Sequence, residues 1–231
     1  MIELAQEFGQ LGGEIHGDGD NDAALAQLVQ LAVKHIGGCS WASITVLTGQ
    51  QGRSIACTDE IAERADRLQY EYGEGPCLQA AEDNENYLMF DVVEEVRWPN
   101  YTKALIAQTP VRSVLSMQLP AEDTAALNLF GEQAGAFSEA DLTMATVFAA
   151  HASTLVALYE AEHTKDNLRA ALDSNRRIGA AIGVLMAMHK VTEDQAFDML
   201  RVASQLLHRK LRDIAAEVVE VGALPDLPPA R

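Results

Sequence analysis

The residues best placed to do chemistry are cations clustered toward one end of the chain. Between Arg169 and Arg212 stand eight basic residues, Arg169, Arg176, Arg177, Lys190, Arg201, Arg209, Lys210 and Arg212. Only four acids, Asp173, Glu193, Asp194 and Asp198, share that stretch, so it carries a local net charge of +4. Residues 1–164 hold 7 Lys+Arg against 25 Asp+Glu, within a chain of net charge −17. Such asymmetry points to an anionic partner for one end only, with the acidic remainder repelling nucleic acid elsewhere.

Other reactive groups are sparse. Cys39, Cys57 and Cys77 are too few and too widely spaced for a disulfide framework, and read as free thiols in a reducing cytoplasm. Gly73-Glu74-Gly75-Pro76 is a turn and not a phosphate loop, because no Lys-Ser/Thr follows it. Cys77 lies just beyond, a candidate redox or pocket thiol, although Glu71 and Glu74 are poor neighbours for a thiolate. The six histidines show no ligand spacing, so no metal is expected. No Ser/His/Asp or paired-carboxylate constellation stands out, and the expectation is a non-enzyme without a cofactor. Met1 to Gln10 does not read as a signal peptide, and no stretch reaches the roughly 20 apolar residues of a membrane span. Together these predict a cytoplasmic protein with no membrane partner.

The elements that must position these groups follow from periodicity. Leu25, Leu28, Val29 and Ala32 share one face of a helix over 23–36, which Asn21 or Asp22 could cap. Trp41 to Leu47 and Arg53 to Cys57 read as strands around a hairpin turn at 49–52. A helix at 61–69 and a Gly/Pro loop at 72–76 follow, then a strand at 87–91 and a helix at 99–108. Val111 to Leu119 alternates as a half-buried strand should, and Ala125 to Gly131 can pair with it. This order predicts an α+β layer, an antiparallel sheet with helices to one side.

From Ser138 the pattern becomes helical to about Met188, with no proline before Pro225. A helix of about 50 residues is about 75 Å long, so it must cross between domains or pair with a partner. Leu168, Leu172, Asn175, Gly179, Ile182 and Met186 recur at alternating spacings of four and three, a heptad seam. It predicts a homodimer; the alternative is packing against the chain's own last helices. Thr192 with Gln195 is a capping box opening a helix whose apolar face holds Ala196, Phe197, Leu200, Ala203 and Leu207. Phe197 reads as core and not as a stacking platform. After a break near His208, Leu211, Ile214, Ala215, Val218 and Val219 define a last helix ended by Gly222. The expected organisation is an N-terminal segment (1–20), a first domain (21–160), a second, all-α domain (161–222) and a disordered tail (223–231).

The run Ser174-Asn175-Arg176-Arg177-Ile178-Gly179-Ala180-Ala181-Ile182-Gly183-Val184-Leu185-Met186 resembles the ANTAR family of RNA-binding antiterminators. Ala196-Phe197, Leu200-Arg201, Ser204 and Arg209-Lys210-Leu211-Arg212-Asp213-Ile214-Ala215 extend that likeness in register. Tyr70-Glu71-Tyr72-Gly73-Glu74-Gly75-Pro76-Cys77, Arg97-Trp98-Pro99, Ala126-Leu127-Asn128-Leu129 and Ala136-Phe137-Ser138 resemble GAF domains of the actinobacterial type. The pair resembles GAF–ANTAR regulators: a GAF domain, its antiparallel sheet flanked by helices, joined by a long coiled-coil helix to an all-α ANTAR domain. The resemblance implies two adjacent RNA stem-loops as partner, with RNA polymerase engaged only indirectly, and leaves room for a small-molecule ligand in the GAF domain. Candidate RNA contacts are Arg176, Arg177, Arg201, Ser204, His208, Arg209, Lys210 and Arg212. Many ANTAR sequences carry Arg where this chain has Asn175 and Lys where it has Ile182, so no base-reading role transfers to those two positions. The function expected is a signal-responsive transcription antiterminator. A DNA-binding regulator, or a GAF ligand sensor whose helical tail docks a protein, are the alternatives.

Overall fold

A computed structural model describes residues 6–9, 21–48, 51–120 and 124–225. The turn residues 49–50, most of the N-terminal segment and residues 226–231 of the expected tail lie outside them. The chain divides into two compact units, Met1–Ala161 and Glu162–Arg231.

In the first unit α1 (Asn21–His35) leads into β1 (Trp41–Thr48), β2 (Gln51–Cys57), α2 (Glu60–Tyr72) and α3 (Pro76–Asp83). There follow β3 (Tyr87–Met89), α4 (Pro99–Gln108), β4 (Ser113–Leu119) and β5 (Thr124–Gly131). The long helix α5 (Glu139–His189) comes next. The five strands form one sheet in the order β2-β1-β5-β4-β3, and every pairing is antiparallel. A register shift between Ile44 and Thr45 marks a bulge against β2.

Helices cover both faces of this sheet, a correction to the one-sided layer the sequence suggested. On one face Leu25, Leu28, Val29 and Ala32 of α1 pack with Phe148, Ala152, Leu155 and Val156 of α5 over Ile44, Leu115, Leu127 and Leu129. On the other, Ala62, Ala65 and Leu68 of α2 and Tyr101 and Leu105 of α4 pack over Val114 and Phe130. β4 is therefore not half-buried; its alternate residues Val114 and Ser116 are buried too, facing the second layer. Pro76 opens a helix where a loop was expected: proline suits a helix's first turn, where its missing N–H would be unpaired anyway. Asn21 stands inside α1, not before it.

The second unit holds the remainder of α5 with α6 (Glu193–Leu207) and α7 (Leu211–Val221). Ala181 and Leu185 of α5, Ala196, Leu200 and Ala203 of α6, and Ile214, Ala215 and Val218 of α7 form its core. The Thr192–Gln195 capping box is formed reciprocally. Phe197 departs from its expected core position, being 40% exposed and outside the buried cluster. Adjacent to Ala196 on the helix, it is turned about 100° away from the buried face. Among the described residues α5 is the one helix long and apolar enough, by length and composition, to cross a membrane. The pattern is also that of a core helix, since its early residues fill the first unit's interior.

Candidate functional site

Two regions carry polar chemistry, one in each unit. In the first, polar side chains line the inner face of the sheet beneath α2. Alternation puts Ile44 and Val46 of β1 on the α1–α5 side and sends Ser43 and Thr45 to the α2 side. There they meet Asp66 of α2, which is completely buried. Its carboxylate accepts hydrogen bonds from Ser54 Oγ (2.6 Å), Thr45 Oγ1 (3.2 Å) and Asn128 Nδ2 (3.0 Å). Asn128 accepts in turn from Ser116 Oγ at 2.8 Å. Burial raises the Asp66 pKa from 3.8 to about 6, against the pull of these donors.

Around this carboxylate, two buried polar atoms stand without hydrogen-bond partners among the described residues, Gln69 Nε2 and Tyr101 OH, while the Ser43 hydroxyl lies close enough to Asp66, and the Tyr70 hydroxyl to Thr45 and Ser54, to help hold the cluster. Buried polar groups are almost always paired, so two orphans beside a buried carboxylate set this interior apart from an ordinary core. Gln69 is positioned by its other end, its Oε1 accepting from the Cys77 N–H at 2.8 Å. Gly75 makes that possible, because a Cβ there would come within 2.3 Å of Gln69 Oε1.

Outside lies an open depression of about 560 Å³, lined by Tyr70, Glu74, Gly75, Gln79, Glu82 and Trp98 among others. Trp98 Nε1 donates to Gln79 Oε1 at 3.0 Å, and the Arg97 guanidinium sits 4.3 Å from the Trp98 ring centre. Glu74 caps α4, its carboxylate accepting from the backbone N–H of Asn100 (2.9 Å) and of Tyr101 (3.3 Å). Cys77 is fully buried beside this interior, and burial, reinforced by the Asp66 charge, pushes its thiol up to about 12. Burial lifts Cys39 and Cys57 to about 12 as well. At neutral pH all three are protonated thiols, poor nucleophiles. Among the described residues no group of His, Cys, Asp and Glu could hold a metal ion.

Strand β2 joins this interior to α5. Ser54 bonds Asp66 on one face, while the neighbouring Arg53 reaches the other face and donates to Tyr159 OH of α5 at 2.8 Å. Its guanidinium also lies 5.6 Å from the Tyr159 ring centre.

In the second unit Arg201, Ser204 and His208 follow one another at helical spacing along α6. His208 ends the helix in the left-handed conformation (φ 51°), and Ser204 Oγ donates to the Arg209 carbonyl at 2.5 Å. That bond folds His208, Arg209 and Lys210 into a tight turn, with Arg212 in the first turn of α7. All four of these side chains are exposed. Arg176 and Arg177 are exposed on α5, a separate element of the same unit.

Several of these cations have acidic neighbours: Arg209 with Glu217 (2.6 Å), Arg201 with Asp198 (2.9 Å), Arg176 with Asp173 (3.6 Å) and Arg212 with Asp213 (3.7 Å). Among the described residues Arg177 and Lys210 form no ion pair. Exposed pairs of this kind are weak, of the order of 1 kcal/mol or less, and yield to a polyanion.

Of the seam residues, Leu168 and Leu172 are each 60% exposed, and Asn175, Gly179 and Met186 are exposed too. Nothing stands within 4 Å of where a Gly179 Cβ would lie. Ile182 instead packs against the second unit's own core. The residues that sequence reasoning missed are those around Asp66. The signal was available: Ser43 and Thr45 share one face of β1, and Asp66 and Gln69 share the Ala62 face of α2.

The first unit is thus an antiparallel sheet between two helical layers with a polar interior, and the second a three-helix unit with an exposed basic turn. Comparison with known proteins agrees. The GAF domain model matches residues 20–157, more than half of the chain, and the ANTAR domain model matches residues 166–219. The chain belongs to the GAF family and carries an ANTAR domain, the arrangement of a GAF–ANTAR regulator.

Among solved structures, the fold of the first unit is similar to the GAF domain of an Acinetobacter phosphoenolpyruvate-protein phosphotransferase (TM-score 0.53, 16% identity, 70% of this chain and 96% of that one). It is similar to the corresponding domain from Coxiella burnetii (TM-score 0.53, 13% identity, 71% and 98%). It is also similar to free methionine-R-sulfoxide reductase from Neisseria meningitidis (TM-score 0.52, 17% identity, 68% and 89%). At these identities the likeness shows the fold alone. None of the curated proteins compared matches the chain.

Proposed function

We propose that this protein is a signal-responsive, RNA-binding transcription antiterminator and not an enzyme, acting in the cytoplasm as a homodimer without a membrane partner. The observation that carries the reading is the exposed basic turn between α6 and α7, on a domain of the ANTAR family. Arg201, Ser204, His208, Arg209, Lys210 and Arg212 form one group of contacts, and Arg176 and Arg177 a second. Cations contacting phosphate supply affinity and orientation, while unstacked loop bases supply sequence. The seam Leu168, Leu172, Asn175, Gly179, Ile182 and Met186 would pair two copies, presenting two basic surfaces to two adjacent stem-loops. RNA held in that form would preclude an overlapping terminator, so RNA polymerase responds only indirectly.

The buried, protonated thiol of Cys77 weighs toward a packing role inside the first unit and against a redox role. The input would reach α5 from the sensor unit and alter pairing along the seam. Competition between hairpin RNA and duplex DNA at fixed salt tests the reading. Displacement by RNA alone is expected; equal displacement by DNA would favour a DNA-binding regulator.

A further inference from the structure

We infer that Phe197 is a stacking platform for an unpaired RNA base, at the head of a stripe that runs along α6 through Arg201 and Ser204 to His208. The inference rests on the reading of the second unit as an RNA-binding module and names the residue that engages a base where its neighbours engage phosphate.

Phe197 is the only Phe, Tyr or Trp between Glu162 and Arg231. It is 40% exposed and stands outside the buried cluster, to which α6 contributes Ala196, Leu200 and Ala203. A large ring left at the surface forgoes the gain of burial, and such rings are what single-stranded RNA bases stack on. At about 100° per residue, Phe197, Arg201, Ser204 and His208 fall within about 60° of one another, to one side of the buried face. Val202 and Leu206 are exposed too, but they fall on the opposite side of α6.

The two sides differ in charge. The Phe197 side leads toward Arg201, His208, Arg209 and Lys210, all exposed. Its acids are Glu193 and Asp194 in the first turn of α6, and Asp198, which is paired with Arg201. The Val202 and Leu206 side carries no cation of α6. A second copy of this chain docked on the Phe197 side would set cations against cations. An RNA loop instead offers phosphates to the cations and a base face to the ring. Ser204 Oγ is committed to the Arg209 carbonyl at 2.5 Å, which fixes the turn cations relative to the helix that carries the ring. Stacking accepts any base, so Phe197 favours an unpaired base over a paired one without choosing among the four.

The test measures binding of the full chain to an RNA of two adjacent stem-loops, the tightest binder from a pool of randomised loops. Phe197→Ala should weaken binding about fivefold to a hundredfold, the range for losing one base–aromatic stack. The slope of log K against log salt should not change, because no phosphate partner is lost. Phe197→Tyr should keep the native affinity and Phe197→Leu should not. Replacing loop bases one at a time by abasic nucleotides should find a position at which Phe197→Ala costs nothing further. Leu206→Ala, on the opposite side of α6, controls for loss of packing and should bind as the native chain does. Unchanged affinity of Phe197→Ala, an altered salt slope, equal affinity of the Leu and Tyr variants, no abasic position that cancels the effect, or an equal loss in Leu206→Ala would each overturn the inference. So would conversion of a dimer to a monomer by Phe197→Ala in light scattering, which would make the ring a contact between copies. A native chain that binds no stem-loop RNA would overturn the antiterminator reading as well, whereas native binding with unchanged Phe197→Ala affinity removes the stacking role alone.

Discussion

Replacing Asp66 by Asn should change how stability depends on pH, in a direction opposite to that of most carboxylates. Burial raises the Asp66 pKa from 3.8 to about 6, so the folded state holds this proton more tightly than the unfolded chain does. The stability it contributes as a neutral acid is fully present below pH 3.8 and is lost as pH rises through about 6. The shift is about two units, and at roughly 1.36 kcal/mol per unit it is worth about 3 kcal/mol. Asp66 is fully buried, so solvent screening calls for no discount.

Other carboxylates work in the reverse sense. Arg64 lowers Glu71, the Val93 N–H and Arg112 lower Asp91, and the Ser138 hydroxyl and N–H lower Asp141. These are common to both proteins and cancel in the difference. Urea unfolding of the native and Asp66→Asn proteins across about pH 3.5 to 7.5 measures that difference directly. The native protein should lose about 3 kcal/mol relative to the variant between the two limits. Parallel curves would refute the assignment of Asp66 as a buried, uncompensated carboxylate.

Further outcomes follow from other contacts. Lys210→Ala and Arg177→Ala should each weaken hairpin RNA binding across sequences and reduce the slope of log K against log salt by about 1; unchanged slopes would remove them from the phosphate contacts. Leu168→Glu with Leu172→Glu alters two exposed side chains, so the fold should persist by circular dichroism while light scattering reports a monomer; a persisting dimer would exclude the seam. Arg53→Ala removes the bond and ring contact to Tyr159 and should weaken protection of α5 residues 150–161 by about 1 kcal/mol in hydrogen exchange; unaltered exchange would show that β2 does not hold α5. Thr192→Ala removes the α6 cap and should cost about 1 kcal/mol in the second unit's unfolding; no loss would mean the cap is redundant.

Much of the structure was legible because it follows from periodicity. The α1 stripe of Leu25, Leu28, Val29 and Ala32, the Thr192–Gln195 box and the Gly222 terminus all appear as read. What escaped is what pattern rules misfile. Ser116 and Asn128 look like the wet side of a half-exposed sheet, yet both are buried because they bond one another and Asn128 bonds Asp66. Without that polar interior in view, the sheet seemed to need helices on one face only. Asp66 itself reads as a surface charge on an Ala-rich helix until its three partners, on three different strands, are brought to it by the fold. Gly75-Pro76 suggests a loop because both residues are turn formers, whereas here Gly75 caps a helix and Pro76 opens it. The basic turn was legible for a different reason: its charge density and motif register are properties of the sequence alone.

The central claim is that the basic turn of the second unit recognises paired RNA loops. Binding of the purified chain to an RNA of two adjacent stem-loops, against either stem-loop alone and a DNA duplex of matched length over a salt series, tests it most directly. Tighter, salt-dependent binding of the paired loops is expected, with two protein copies per RNA. Equal affinity for the single loop, the pair and the duplex would contradict it.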